Sequence, residues 1–236
     1  MKKRFVLIMC ISGILMTASA CSMQQEPTLD ALWDEAMQDA VYSDDNELCQ
    51  LVSLTKDDDK VIWDDTGERV LLVTWHNYQD DCEEGESIEA DGDIWATSLG
   101  EVQSWYSENS KGEKDWKLLF SQLLGVPEDG EYSRFSAFWI SPEDVIRPAY
   151  VTDATEQMQN NYELVSGEWK EWFDANILYS YFESDYPWTR LGYTYDWSDS
   201  ETDYGLTEFL IQDASKTEIA FTMTTEEFVD YLSDSE

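Results

Sequence analysis

His76 is the only histidine among 236 residues, and its ordinary pKa suits it to proton transfer near neutrality. As a general base it requires a nucleophile within hydrogen-bond reach. No G-x-S-x-G elbow or comparable signature supplies one. His76 falls in "RVLLVTWHNY" (69–78), on the alternating set of Val70, Leu72, Thr74 and Tyr78. A hydrogen-bonded interior histidine is the ordinary reading there, and a catalytic base is the alternative. One histidine and four cysteines provide poorly for zinc. The remaining enzymatic class is a carboxylate-dependent hydrolase with His76 and Glu208 as candidate catalytic residues. With 51 Asp and Glu in the chain, spacing alone does not choose the acid pair such chemistry uses. That class expects a cleft gathering His76, Arg147, Arg190 and Glu208. A Walker loop, a dinucleotide fingerprint after a strand and the kinase signatures are all missing from the sequence.

Residue types suited to recognition are more plentiful. In "YPWTRLGYTYDWSD" (186–199), two Trp and three Tyr surround one Arg and one Pro. Counted by two, Leu191, Tyr193, Tyr195 and Trp197 point one way, while Arg190, Gly192, Thr194 and Asp196 point the other. This is the pattern of a half-buried strand whose aromatic face belongs to the core. Trp188, Arg190 and Asp196, with Arg147 of "VIRPAY", are the candidate ligand-binding residues. The two arginines either make internal ion pairs or hold a carboxylate or phosphate, with Trp188 offering a stacking face to a sugar or planar ligand. Asp196, Asp199 and Asp203 are candidate calcium ligands, with Asp91 and Asp93 a second place. The EF-hand pattern is not met: counted from Asp196, the sixth position is Glu201 instead of Gly and the twelfth is Thr207. No cofactor besides calcium is expected.

The chain begins "MKKRFVLIMCISGILMTASAC", with basic residues, an apolar run and small residues in the order of a secretory signal. Ala18-Ser19-Ala20 before Cys21 resembles the lipobox of bacterial lipoprotein precursors, with Ala18 in the place of the usual leucine. That resemblance implies cleavage before Cys21, lipid on Cys21 and attachment to the cell envelope. In a Gram-negative cell Ser22, which is not Asp, favours the outer membrane. The alternative is plain secretion or a soluble periplasmic protein, since Ala18-x-Ala20 also fits ordinary signal peptidase. "VIRPAY" and "PWTRLGYTYDW" are similar to stretches of bacterial exported proteins that carry no assigned activity. Past the leader no apolar run reaches the roughly 18–20 residues of a spanning helix. Cys49 and Cys82 are a candidate disulfide, which would contribute about 3–4 kcal/mol in the chain-entropy model.

The formal charge of −37 repels nucleic acid and anionic headgroups, so nucleic acid is excluded as a partner. The membrane, through lipid on Cys21, and an unidentified small ligand or protein are the expected partners. Eleven Trp in the chain argue against a disordered acidic tail.

The elements that must position these residues are read from periodicity. Apolar residues at helical spacing predict helices starting at Leu29, after Ser98 with Glu101 placed for a capping box, from Trp116 to Gly125, around Trp169 to Ile177, and over "TTEEFVDYL" with Thr224 and Glu227 as a capping box. The runs 69–78 and 134–140, apolar on both alternating sets, predict central strands covered on both faces. Residues 191–197, 207–212 and 217–223 predict a C-terminal antiparallel meander. The fold class is α+β: a mainly antiparallel sheet with amphipathic helices packed on it. The organisation is a signal peptide (1–20), a lipidated tether (21–28) and one globular domain (29–236). A binding or interaction module is expected, with the hydrolase and a structural envelope protein as alternatives.

Overall fold

The computed structural model describes residues 27–78, 83–200 and 202–235. The leader, Cys21 and Cys82 therefore lie outside the described residues. The elements are α1 (Leu29–Asp39), β1 (Val70–His76), β2 (Ser87–Glu89), β3 (Ile94–Ser98), α2 (Leu99–Asn109), α3 (Trp116–Leu123), β4 (Arg134–Ile140), β5 (Val145–Ile146), α4 (Gly167–Leu178), β6 (Tyr193–Tyr195), β7 (Tyr204–Thr207), β8 (Phe209–Ile211), β9 (Lys216–Thr224) and α5 (Thr225–Asp234). Seven strands form one antiparallel sheet in the order β2-β9-β4-β1-β3-β8-β5, and β6 and β7 pair separately. This is the α+β class that the periodicities predict.

The sheet is held by its middle strand. β1 is apolar on both alternating sets, so it buries both faces. Val70 and Leu72 join Phe138, Ile140, Phe209 and Ile211 in one core. Leu71, Val73 and Trp75 join a second core under α2, α3 and α5, with Val102, Phe120 and Phe228. A third core gathers Phe173 of α4 with Tyr150, Trp188, Leu191 and Tyr193. Helix ends are set by local chemistry. Thr28 Oγ1 accepts from Ala31 N–H, and Thr224 and Glu227 form the reciprocal capping box at α5.

Two expectations change in detail. Ser98 stands at the N-cap of α2 but makes no side-chain cap; its hydroxyl donates to the Lys60 carbonyl instead. Glu101, freed from capping, is buried and accepts from Tyr204 Oη at 2.5 Å and Thr207 N–H at 2.8 Å. The C-terminal strands also do not run as a meander: β6 pairs with β7, β8 with β3 and β5, and β9 with β4 and β2. Glu208, between β7 and β8, is where the chain leaves the small sheet for the large one. Its N–H donates to Gly192 O at 2.9 Å.

The feature that positions the site is a fork. β3 follows β1 only at Leu72↔Ser98 and Val73↔Thr97, then turns to β8 through Ala96↔Phe209, Trp95↔Leu210 and Ile94↔Ile211. Beyond Val73, β1 stays with β4 alone as far as His76↔Arg134. The sheet opens between the diverging strands.

Candidate functional site

A cleft of about 930 Å³ fills the fork, toward the upper end of the size range of small-molecule sites. Its walls include Val73 and Trp75 from one face of β1 and Thr74 and His76 from the other, as expected where a sheet is split. Trp95 and Thr97 of β3, Asn176 of α4, Tyr132, Tyr186 and Trp188 complete the aromatic and polar lining. The Tyr132 and Tyr186 hydroxyls meet at 3.1 Å. α4 continues past Leu178 into a π-helical turn, Tyr179–Glu183, which brings Tyr179 and Ser180 to the wall. No Lys or Arg is among the described lining residues, whereas Glu89, Asp91, Asp93, Asp129, Glu131 and Glu208 all are.

His76 has its ring fully engaged. Its Nδ1 accepts the Tyr78 N–H at 3.2 Å, so Nε2 carries the proton of the neutral ring and donates to Ser136 Oγ at 2.8 Å. Ser136 Oγ lies 2.8 Å from Thr222 Oγ1. Burial, then the positive charge of Arg134, holds His76 below its ordinary pKa. Activating Ser136 would require Nε2 to accept and Nδ1 to hold the proton, where it would meet the Tyr78 N–H. The ring is thus a hydrogen-bonded wall residue, oriented against base catalysis on Ser136.

Glu208 is arranged differently. Its Oε2 is buried and has no hydrogen-bond partner. Burial alone pushes its carboxyl up to about 8. Thr97, the residue after Ala96 in β3, lines the same cleft as Glu208, the residue before β8, and Thr97 Oγ1 is likewise buried without a partner. Asn176 Nδ2 is a third such atom. Three lining side chains thus carry unsatisfied buried polar atoms, a costly state in the absence of a partner.

The other sequence candidates lie apart from this group. Arg147 is fully buried, and its Nη2 donates to the carbonyls of Val52 (3.1 Å), Ala154 (3.0 Å) and Glu156 (3.3 Å). Burial lowers it to about 10. It braces two loop segments, at Val52 and at 154–156, and lines no wall of the cleft. Arg190, with φ at 62°, donates from Nη2 to the carbonyls of Ala40 and Val41 at 3.1 and 2.8 Å. Of the four residues the hydrolase expects together, the cleft gathers His76 and Glu208 and leaves both arginines outside. Trp188 does line the cleft but is only 5% exposed, held by its Nε1 to Pro148 O at 3.0 Å and by Phe173 at 4.9 Å between rings. Trp95, 36% exposed, offers more ring surface.

Asp196 turns its Oδ1 to Ser198 N–H at 2.9 Å, and burial raises its pKa. Among the described residues no group of three or more His, Cys, Asp or Glu is placed to hold a metal ion, and this covers Asp196, Asp199 and Asp203. Cys49 is partly buried, which pushes its thiol up to about 12; its candidate partner Cys82 is outside the described residues. No helix among those described is long and apolar enough to cross a membrane. Sequence reasoning missed Trp95, Thr97 and Asn176. The alternation in "IWATS" was the available signal, hidden by the acidic run before it.

No protein-family model matches this chain, and neither a curated protein nor a solved structure matches it.

Proposed function

We propose that this chain is a ligand-binding module of the cell envelope, anchored through lipid on Cys21, whose forked-sheet cleft holds a small organic ligand. The observation that carries this reading is the cleft of about 930 Å³ with aromatic walls and three unsatisfied polar side chains. The neutral, doubly engaged His76 favours binding over hydrolysis, because it leaves no base positioned in the cleft by that ring. Anchoring is supported by the leader and by the Ala18-Ser19-Ala20-Cys21 sequence.

Thermal melts of the purified protein with sugars, amino acids, amines and peptides test the binding reading. A saturable rise in Tm that is weakened in Trp95→Ala is the expected result, and flat melts across the whole panel would overturn it. Anchoring is tested by labelled palmitate: incorporation in the wild type and none in Cys21→Ala is expected, and a labelled Cys21→Ala would refute it.

A further inference from the structure

Resting on the ligand-binding reading, we propose that the ligand is an organic cation, a primary ammonium on an apolar body, with Glu208 as its counter-ion and Thr97 beside it. Four observations converge on this charge. The described lining has several carboxylates and neither Lys nor Arg. An anion entering the cleft meets mostly like charge, the Arg134 charge felt by His76 being an exception, which discriminates against the anion. Glu208 Oε2 and Thr97 Oγ1 are buried without hydrogen-bond partners; both can accept once Glu208 is ionised, and an ammonium brings three N–H donors. Trp95, 36% exposed, and Tyr132 add aromatic rings that attract a cation. The whole-chain charge of −37 steers cations toward the protein from a distance. Asn176 Nδ2 is a donor in need of an acceptor, a role for a hydroxyl or carbonyl on the ligand body.

The cation changes the protonation of its own site. Burial is the cause of the raised Glu208 carboxyl, so in the empty cleft near neutrality it is largely protonated. The Tyr181 hydroxyl feels the Glu208 charge, shares its proton between Ala40 O and Trp188 O, and is held protonated chiefly by burial. When the ammonium arrives, the Glu208 O–H bond breaks, the proton goes to buffer, and the carboxylate accepts an ammonium N–H.

Calorimetry on the purified protein with three matched probes tests this: phenethylamine, neutral 2-phenylethanol and anionic 3-phenylpropionate. Titrations at pH 7 in buffers of different ionisation enthalpy read the proton count. The expected result is amine binding at least about tenfold tighter than the alcohol, no binding of the acid, and roughly one proton released per amine bound. Glu208→Gln is expected to erase both the preference and the release, while Thr97→Val weakens amine binding but keeps the release. Because the release is read on wild type, it holds as evidence even where Glu208→Gln fails to fold. Equal affinity for amine and alcohol would overturn the cation assignment and leave a neutral-ligand cleft standing. An amine preference without proton release, unchanged in Glu208→Gln, would place the counter-ion elsewhere and overturn the role of Glu208. Failure of all three probes also overturns the cation assignment, and the separate thermal panel then decides whether the binding reading falls with it.

Discussion

Glu208 joins residue chemistry to pH-dependent stability. Its carboxyl rises from an ordinary 4.5 to about 8, so the folded chain holds that proton more tightly than the unfolded chain. The associated stabilisation is complete below about pH 4.5 and is lost as pH climbs through 8. Wild type should therefore lose stability across that window with a slope of up to about 1.4 kcal/mol per pH unit from this group, and Glu208→Gln should lack that component. Urea midpoints of the two proteins at pH 5, 6, 7 and 8 check it; parallel curves would mean that Glu208 titrates normally. Little of this was legible in the sequence. Glu208 was one acid among 51, and only the step from one sheet to the other isolates its carboxylate. Arg147 and Arg190 stood out by scarcity, but each turns its Nη2 to backbone carbonyls while Arg147 Nε and Nη1 and Arg190 Nε are buried without partners, and such long-range brackets leave no periodic trace.

The elements were more legible because their signals are local. β4 falls on residues 134–140 as its two apolar sets require, and α5 starts at the capping box that Thr224 and Glu227 announce. What periodicity does not encode is partnership, which is why three well-placed C-terminal strands were joined into a meander they do not form. The segment 186–199 shows the same division. Leu191, Tyr193, Tyr195 and Trp197 are all buried, as their alternation predicts, yet β6 covers only Tyr193–Tyr195. Gly192 fixes the segment's path: its φ is 82°, and a Cβ there would lie 2.6 Å from Arg147 Cδ. Gly192→Ala is expected to cost on the order of 1–3 kcal/mol for the backbone alone, more with the clash, and to loosen the Glu208 N–H bond to Gly192 O. Trp188→Ala should likewise cost about 3–5 kcal/mol by leaving a cavity among packed rings. Trp95→Ala should cost less and act on ligand affinity. Chemical denaturation and ligand titration of the pair distinguish the two roles; equal stability losses would make Trp95 another core residue.

At the scale of the whole molecule, charge acts on the fold and the cleft through one field. The chain carries −37; among the described residues Arg69 bridges Asp64 and Glu218 at 2.8 Å each, and Lys170 meets Asp174 at 2.6 Å. An exposed pair such as Lys170–Asp174 contributes little, while unbalanced acids repel one another throughout the folded state. At 0.1 M salt the screening length is about 10 Å and at 1 M about 3 Å, so added sodium chloride removes repulsion faster than it removes attraction. Tm is expected to rise steadily from low salt to 1 M. The same screening should slow the association of phenethylamine, since the field that concentrates a cation at an acidic cleft is shortened along with the repulsion. Tm and the association rate constant are thus predicted to move in opposite directions over one salt series, by scanning fluorimetry and stopped-flow tryptophan quenching. A Tm that falls with salt would show that specific ion pairs outweigh net repulsion. An association rate indifferent to salt would show that the acids around the fork do not guide the ligand.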